Sequence, residues 1–312
     1  MTRPLIALTG ATGFVGRFLV RDLTRRGYRV RALLRRPADL PPETQSAVVG
    51  DLAAPRHMAE ALREVDAVIH SAGLAHAMSG VPEDDYRSAN TEATAAMARA
   101  AERAGIRRFV FLSSIRAQSG PAAPGVLTEA DEPRPTDAYG RSKLEAERGL
   151  AETGLDWVAL RPVLVYGEGV RGNMAALLRL ARTPYPLPLG ALRARRSLLA
   201  LENLAEAVDV VLRHEGRLCR PLLVADPEPV TLPQIVAALR EGLGRGPGLL
   251  PVPQALLGAG MRLAGRGEAF ERLAGSLVAD PTALLALGWM PPVATREALA
   301  ALARHPLEDE AA

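Results

Sequence analysis

The chain has 312 residues, 48% hydrophobic and 23% charged, enough for a large core or two unequal domains. Its one cysteine, Cys219, excludes an intrachain disulfide, and a net charge of +3, with arginines scattered among acids, argues against a nucleic-acid-binding face. No apolar run reaches the ~18 residues of a membrane helix, and the first twenty residues, broken by Gly10 and Gly13, lack signal-peptide order, so a soluble cytoplasmic protein is expected.

Residues 5–8 form a short apolar run, followed by Thr9-Gly10-Ala11-Thr12-Gly13-Phe14-Val15-Gly16 and a helical pattern over 17–26. A buried strand feeding a glycine-rich turn and a helix is the phosphate-cradling start of a nucleotide-binding βαβ unit. Gly10, Thr12, Gly13, Phe14, Val15 and Gly16 are therefore candidate cofactor residues. A second strand over 29–34 ends in Leu34-Arg35-Arg36, with no carboxylate to hold a ribose 2′-hydroxyl and a guanidinium at Arg35 for a 2′-phosphate, which favours NADP over NAD. A third strand over 47–49 leads to Asp51 and Leu52; Asp51 either reaches an adenine amino group or simply caps a turn. The run 67–70 ends in Ser71-Ala72-Gly73, small residues suited to backbone lying close to a cofactor. His70 reads as a packed strand residue. The five histidines show no metal-ligand spacing, so no metal is expected.

Residues 85–104 form a strongly helical, alanine-rich segment suited to core packing or to a subunit interface, with Asn90 as a polar exception that needs a reason. The strand over 108–112 delivers Ser113 and Ser114 at its carboxyl end, where open α/β sheets bind ligands. Twenty-five positions later comes Tyr139-Gly140-Arg141-Ser142-Lys143, whose lysine is the only one in the chain. An ammonium one helical turn from a phenol can favour the phenolate, and a tyrosine needs such help to act as a base near neutrality. Serine, phenol and ammonium beside a nicotinamide would move a proton while the cofactor moves a hydride.

These residues resemble the extended short-chain dehydrogenase/reductase family, in its epimerase/dehydratase branch. The resemblance is carried by T-G-A-T-G-F-V-G from Thr9, F-V-F-L-S-S from Phe109, Y-G-R-S-K from Tyr139 and R-P-V-L-V-Y-G-E-G from Arg161. Arg171-Gly172-Asn173-Met174, Arg195-Arg196-Ser197-Leu198 and Leu287-Gly288-Trp289 extend it to the substrate half of bacterial UDP-N-acetylhexosamine 4-epimerases and 4-ketoreductases. It implies Tyr139 as acid/base, Lys143 on the phenol and the nicotinamide ribose, and Ser114 on the reacting oxygen, with Ser113 beside the substrate. Arg161 and Pro162 would border the cofactor, and Asn173, Arg196 and Arg272 the substrate diphosphate. Leu34 replaces the acidic strand-end residue of the epimerases, and Arg116 stands where a small hydroxyl residue is common.

The expected fold is α/β, a doubly wound Rossmann parallel sheet with a smaller interwoven C-terminal substrate domain. Residues 1–168 would form the dinucleotide-binding part, joined by a strand returning near 219–226, and 169–312 the substrate part, with helices over 174–181, 201–213 and 234–243. The apolar segment 251–264 reads as a core or lid helix rather than a membrane-surface one, and 308–312 as a frayed acidic tail. The expected activity is NAD(P)-dependent 4-epimerisation or 4-ketoreduction at C4 of a nucleotide-linked sugar, and the expected assembly is a homodimer through the helices around 85–104 and 139–153. A non-catalytic NADP-binding regulator and a reductase of a sterol or phenylpropanoid are the alternatives.

Overall fold

The structure, a computed structural model, describes residues 3–74, 80–263, 265, 267, 270 and 274–306. Strands β1 (Leu5–Thr9), β2 (Arg29–Leu34), β3 (Gln45–Val48), β4 (Ala67–His70) and β5 (Arg108–Leu112) belong to one sheet, joined after the two-residue β6 (Val126–Leu127) by β7 (Asp156–Pro162). Two short strands, β8 (Leu164–Tyr166) and β9 (Arg195–Arg196), and a third, β10 (Leu198–Ala200), lie outside it; β11 (Arg220–Val224) returns to its edge. The seven-stranded order is β11-β7-β5-β4-β1-β2-β3, every pair parallel.

Parallel strands covered on both faces need apolar residues at every position. In β1, Ile6 and Leu8 join the core on one face while Leu5 and Ala7 join the core on the other. Val110 and Leu112 alternate in the same way with Phe109 and Phe111. The first core is closed by Trp289, whose indole N–H donates to the Asn203 carbonyl at 3.1 Å.

The helices are α1 (Phe14–Arg25), α2 (Met58–Ala61), α3 (Glu83–Tyr86), α4 (Ala93–Arg103), α5 (Ile115–Gln118) and α6 (Ala138–Ala151) in the first half. The second half adds α7 (Gly172–Arg182), α8 (Leu201–Arg213), α9 (Leu232–Gly242) and α10 (Gln254–Leu263). The expected helix over 85–104 is interrupted: Arg87–Glu92 form a π-helical turn, a wider coil that recurs at functional sites. Most of its alanines are internal, Ala93, Ala96, Ala98, Ala100 and Ala101 being buried, whereas Arg99, Glu102, Arg103 and Ala104 face outward.

Of the two expectations for α10, a core or a lid helix, the burial excludes the core one. Gly258 is its only buried residue among those described, and Leu256 and Leu263 remain 65% and 91% exposed. None of the described helices is long and apolar enough to cross a membrane.

A second buried cluster ties the later elements together. Asp226 accepts from Asn203 Nδ2 at 2.7 Å, Thr295 Oγ1 at 3.1 Å and Tyr166 Oη at 3.3 Å, and is buried. Arg240 gathers the carbonyls of Ala181, Thr183, Tyr185, Pro247 and Gly248, using all three nitrogens of its fork.

Candidate active site

Because all seven strands run the same way, their carboxyl ends share one edge, and the chain's direction of progress reverses between β1 and β4. Ligands bind at such a switch point. Here the two strand exits nearly touch: a Cβ on Gly10 would stand 2.7 Å from the Ala72 nitrogen, and Gly10 has φ +72, a conformation side chains rarely adopt. Thr9 Oγ1 accepts the Ala72 N–H at 3.0 Å and is hydrogen-bonded to His70 Nδ1 at 2.9 Å. The Nε2 of His70 is buried with no partner, and burial, with the charge of Lys143, pushes its pKa down to about 3.

The turn from β1 packs Gly16 of α1 against the Gly10 carbonyl and leaves Thr12 and Gly13 exposed, Phe14 and Val15 half-buried. The start of α1 has no side-chain cap and no acid in its first turn, so its free N–H groups are open to an anion. Ser71, Ala72 and Gly73 follow β4; a Cβ on Gly73 would lie 2.6 Å from Asn90 Oδ1 and 3.1 Å from Lys143 Nζ. The uncapped start of α1, reached through a turn that only glycine can make at Gly10, fits the phosphates of a dinucleotide.

The π-helical turn supplies the reason for Asn90. Fully buried, its Oδ1 accepts the Leu74 N–H at 2.8 Å while Nδ2 donates to the Leu74 carbonyl at 3.2 Å and to Ser142 Oγ at 2.9 Å. Asn90 thus braces the loop after β4 against α6, the helix that carries Tyr139 and Lys143.

Asp137 starts α6 by accepting the Gly140 N–H at 2.7 Å, and Tyr139 lies in the first turn, half-buried, its ring 6.0 Å from that of Tyr86. Ser114 follows β5. Its Oγ accepts the Arg116 N–H at 3.1 Å, capping α5, and also hydrogen-bonds to the Tyr139 phenol.

The lysine behaves differently from expectation. Lys143 Nζ donates to the Leu112 carbonyl at 3.0 Å, lies 4.7 Å from the centre of the Phe111 ring, and is buried. Burial pulls its pKa down to about 8, with Glu147 opposing. The Tyr139 phenol is raised above its ordinary value, not lowered: burial dominates, Ser114's hydrogen bond brings it down, Asp137 pushes it up, and Arg116 brings it down. In the unliganded protein Tyr139 is therefore a protonated phenol, and Ser114 and Arg116 are the groups that favour its ionisation.

Several expected contacts lie elsewhere. Ser113 is buried and donates to Glu147, and Arg161 is locked onto the same carboxylate, Nε to Oε1 at 3.0 Å, and onto Gln118. Ser113 and the Arg161 side chain thus form a buried tie between β5, β7 and α6, away from the phenol, because a carboxylate on the inner face of α6 requires a cation and a donor. Pro162 ends β7 beside Val224. Asp51 accepts the Ala53 N–H at 3.0 Å, the turn-capping alternative, with Leu52 half-buried behind it. Arg35 and Arg36 are exposed just past β2. Asn173 is exposed in the first turn of α7, and Arg196 is half-buried in β9, opposite Val230. Arg272 lies outside the described residues.

Sequence reasoning missed Thr9, Tyr86, Asp137 and Glu147. Asp137 carried a usable signal, a helix-capping residue just before Tyr139. Glu147, one turn past Lys143, has the spacing of an ordinary surface pair.

Fold and site together define a Rossmann-type dinucleotide-binding enzyme. Comparison with known proteins places it further. The chain matches the model of the NAD dependent epimerase/dehydratase family over residues 6–220. It is 33% identical over 303 residues to a UDP-glucose 4-epimerase of Vibrio cholerae, covering 94% of this chain and 92% of that one. A dihydroflavonol 4-reductase of Zea mays is 29% identical over 273 residues, 76% of this chain and 73% of the other. Among solved structures, MoeE5 in complex with UDP-glucose and NAD superposes with a TM-score of 0.73 at 27% identity, over 96% of this chain and 97% of that one. The UDP-N-acetylglucosamine 4-epimerase from Bacillus cereus reaches 0.78 at 20% identity, over 96% and 98%, a likeness of fold alone. The chain belongs to the NAD-dependent epimerase/dehydratase family.

Proposed function

We propose that this enzyme carries out NAD(P)-dependent oxidation or reduction at C4 of a nucleotide-diphosphate sugar, as a 4-ketoreductase or 4-epimerase. The observation that carries the reading is Ser114 hydrogen-bonded to Tyr139 at the carboxyl end of β5, on the sheet edge where the uncapped start of α1 offers free N–H groups to a dinucleotide. The dinucleotide supplies the hydride chemistry. Tyr139 Oη moves the proton of the C4 oxygen, Ser114 Oγ holds that oxygen, and Lys143, beside Gly73, lies where a nicotinamide ribose would rest. A phenol held protonated is ready to donate, which favours reduction over oxidation as the first step. Asn173 and Arg196 are the candidates for the substrate diphosphate, which would have no counterpart in a sterol or phenylpropanoid.

NADP is the favoured cofactor, since Arg35 and Arg36 stand exposed at the end of β2 with no acid beside them. NAD is the alternative that the relatives' bound cofactor supports. A homodimer through α4 and α6 would join polar faces, since Arg99, Glu102, Arg103, Arg141, Glu145 and Arg148 point outward there; sedimentation measures it.

The test is to purify the protein, identify any retained dinucleotide by mass spectrometry, and assay UDP-4-keto sugars with NADPH and UDP-hexoses for 4-epimerisation. Retained NAD without NADPH turnover removes the ketoreductase; a Tyr139→Phe variant that turns over normally removes the catalytic assignment altogether. Reduction of a flavonoid or steroid ketone with no response to any nucleotide sugar would favour the non-sugar reading.

A further inference from the structure

Helix α10 is apolar on two faces, and the fold uses one of them. Leu257 and Met261 pack against the buried cluster that contains Val236 and Phe270, and a Cβ on Gly258 would stand 2.8 Å from the Phe270 ring. The opposite face carries Leu256, Ala259, Gly260 and Leu263, all exposed. Their spacing, i, i+3, i+4 and i+7, is that of an apolar stripe turned towards a partner. Only Gln254 and Arg262 bring polar side chains to the helix. Closure of α10 as a lid would leave the outer stripe bare, because the inner face is the one that meets the protein.

The surroundings of the stripe continue its character. Leu250, exposed just before the helix, is held by its N–H to the Leu187 carbonyl at 2.8 Å. Tyr185, also exposed, is fastened nearby: Arg240 donates to its carbonyl at 2.7 Å and to that of Gly248 at 3.0 Å. A ring with a polar tip suits the boundary between acyl chains and water.

Charge is sorted onto the same lobe. Segments 169–200 and 229–263, which pack together through α7 and α9, carry nine arginines and one acid, Glu241, and Arg296 holds that acid with two nitrogens. Residues 264–276 add two arginines and two glutamates, which leaves the excess as it was. With +3 on the whole chain, the remainder is net acidic. Arg196 belongs to the proposed substrate site, but Arg262 is exposed on α10 itself, and exposed Arg245 reaches the Arg182 carbonyl at the end of α7. A second copy docked on this face would set basic lobe against basic lobe across a twofold axis. A protein partner would find no aromatic anchor in the stripe.

We propose that α10 docks the enzyme on a membrane surface of anionic lipid, its outer stripe at the acyl-chain boundary and Arg245 and Arg262 among the headgroups. Ten residues rise about 15 Å, half the hydrocarbon thickness, so the helix lies along the surface and does not cross it. Sequence alone pointed away from a membrane-surface helix at 251–264; the outward stripe reverses that reading.

The experiment is flotation of the full-length protein with vesicles of equal parts phosphatidylglycerol and phosphatidylcholine, and with phosphatidylcholine alone. The parent should float with the mixed vesicles at low salt and partition at least ~10-fold less onto the neutral ones. Leu256→Gln combined with Leu263→Gln should lower the partition coefficient about tenfold or more, and Arg262→Gln about fivefold. Met290→Gln, which removes an exposed apolar side chain outside these segments, should leave it unchanged. Because Trp157 and Trp289 are buried, Leu263→Trp supplies one exposed reporter, and brominated acyl chains should quench it. A parent that does not float with the mixed vesicles, flotation undiminished by the double substitution, or a Leu263→Trp emission that brominated lipid leaves unquenched overturns the proposal. A lipid-free dimer that the double substitution dissolves also overturns it, giving the face to a second copy. Neither substrate nor dinucleotide is present, so failure of the catalytic reading leaves this result standing.

Discussion

The most direct test of the site is the free energy stored in its one lysine. Lys143 is buried, and burial brings its pKa from 10.5 down to about 8. That displacement corresponds to about 3 kcal/mol. The unfolded chain holds the lysine proton up to about pH 10.5, whereas the folded protein releases it near 8. Between those values the unfolded state binds more protons, so this group's contribution to stability rises with pH through the window, and its full cost is present below about pH 8. Lys143→Met removes the charge and fills the same space. At pH 7 the variant should be more stable than the parent by ~1–2 kcal/mol, the remainder being lost with the hydrogen bond to Leu112 and the contact with Phe111. Urea unfolding from pH 7 to 10 measures this, and the variant's advantage, a difference that cancels other titrating groups, should shrink and then reverse as pH rises. Since the chain has a single lysine, isotope-labelled lysine gives one side-chain resonance whose titration reads the pKa directly. Titration near the ordinary ~10.4, or a parent-to-variant difference that is flat across the window, would refute the burial argument. The same variant should lose dinucleotide-dependent turnover, a stabilised but inactive protein.

The neighbouring elements give further tests. His70, neutral down to about pH 3 when folded and protonated near 6.5 when unfolded, should make the protein lose up to about 5 kcal/mol as pH falls through that interval; His70→Leu should flatten the acid limb of a urea-stability profile. Gly73→Ala places a methyl 2.6 Å from Asn90 Oδ1, so dinucleotide affinity measured by calorimetry should fall at least ~10-fold with circular dichroism unchanged. Asp226→Ala strips the acceptor from Asn203, Thr295 and Tyr166 and should cost ~3 kcal/mol in urea unfolding, while leaving dinucleotide affinity intact.

What could be read from the sequence followed from local rules. Strands β4 and β5 have the predicted bounds because a strand covered on both faces is an apolar run ended by small polar residues, and β2 has them because Gly27 and the Arg35-Arg36 pair bracket it. The return of β11 to the sheet was legible for the same reason. The glycine turn and the order of Ser114 and Tyr139 needed only spacing. What was not legible depends on partners far apart in the chain. Whether Arg161 borders the cofactor or faces Glu147, and whether Ser113 faces the substrate or a carboxylate, turns on which side of α6 meets β5 and β7. The tuning of Tyr139 was misjudged because helical spacing places Lys143 on the right face but says nothing of the Leu112 carbonyl that claims its ammonium. Asn90 was noticed as an anomaly, yet no periodicity rule foresees a π-helical turn.

The sheet carrying the site is finished by a strand encoded late. β11 pairs with β7 along Arg220–Val224, after α7 and α8 have already been made. A nascent chain leaving the ribosome therefore holds β7 as a bare, strongly apolar edge until more than fifty further residues have emerged. Fragments ended near residue 168 should accordingly aggregate, whereas those extended past Val224 can seal that edge, so soluble expression of a truncation series would map the moment at which the nucleotide-binding half becomes self-sufficient.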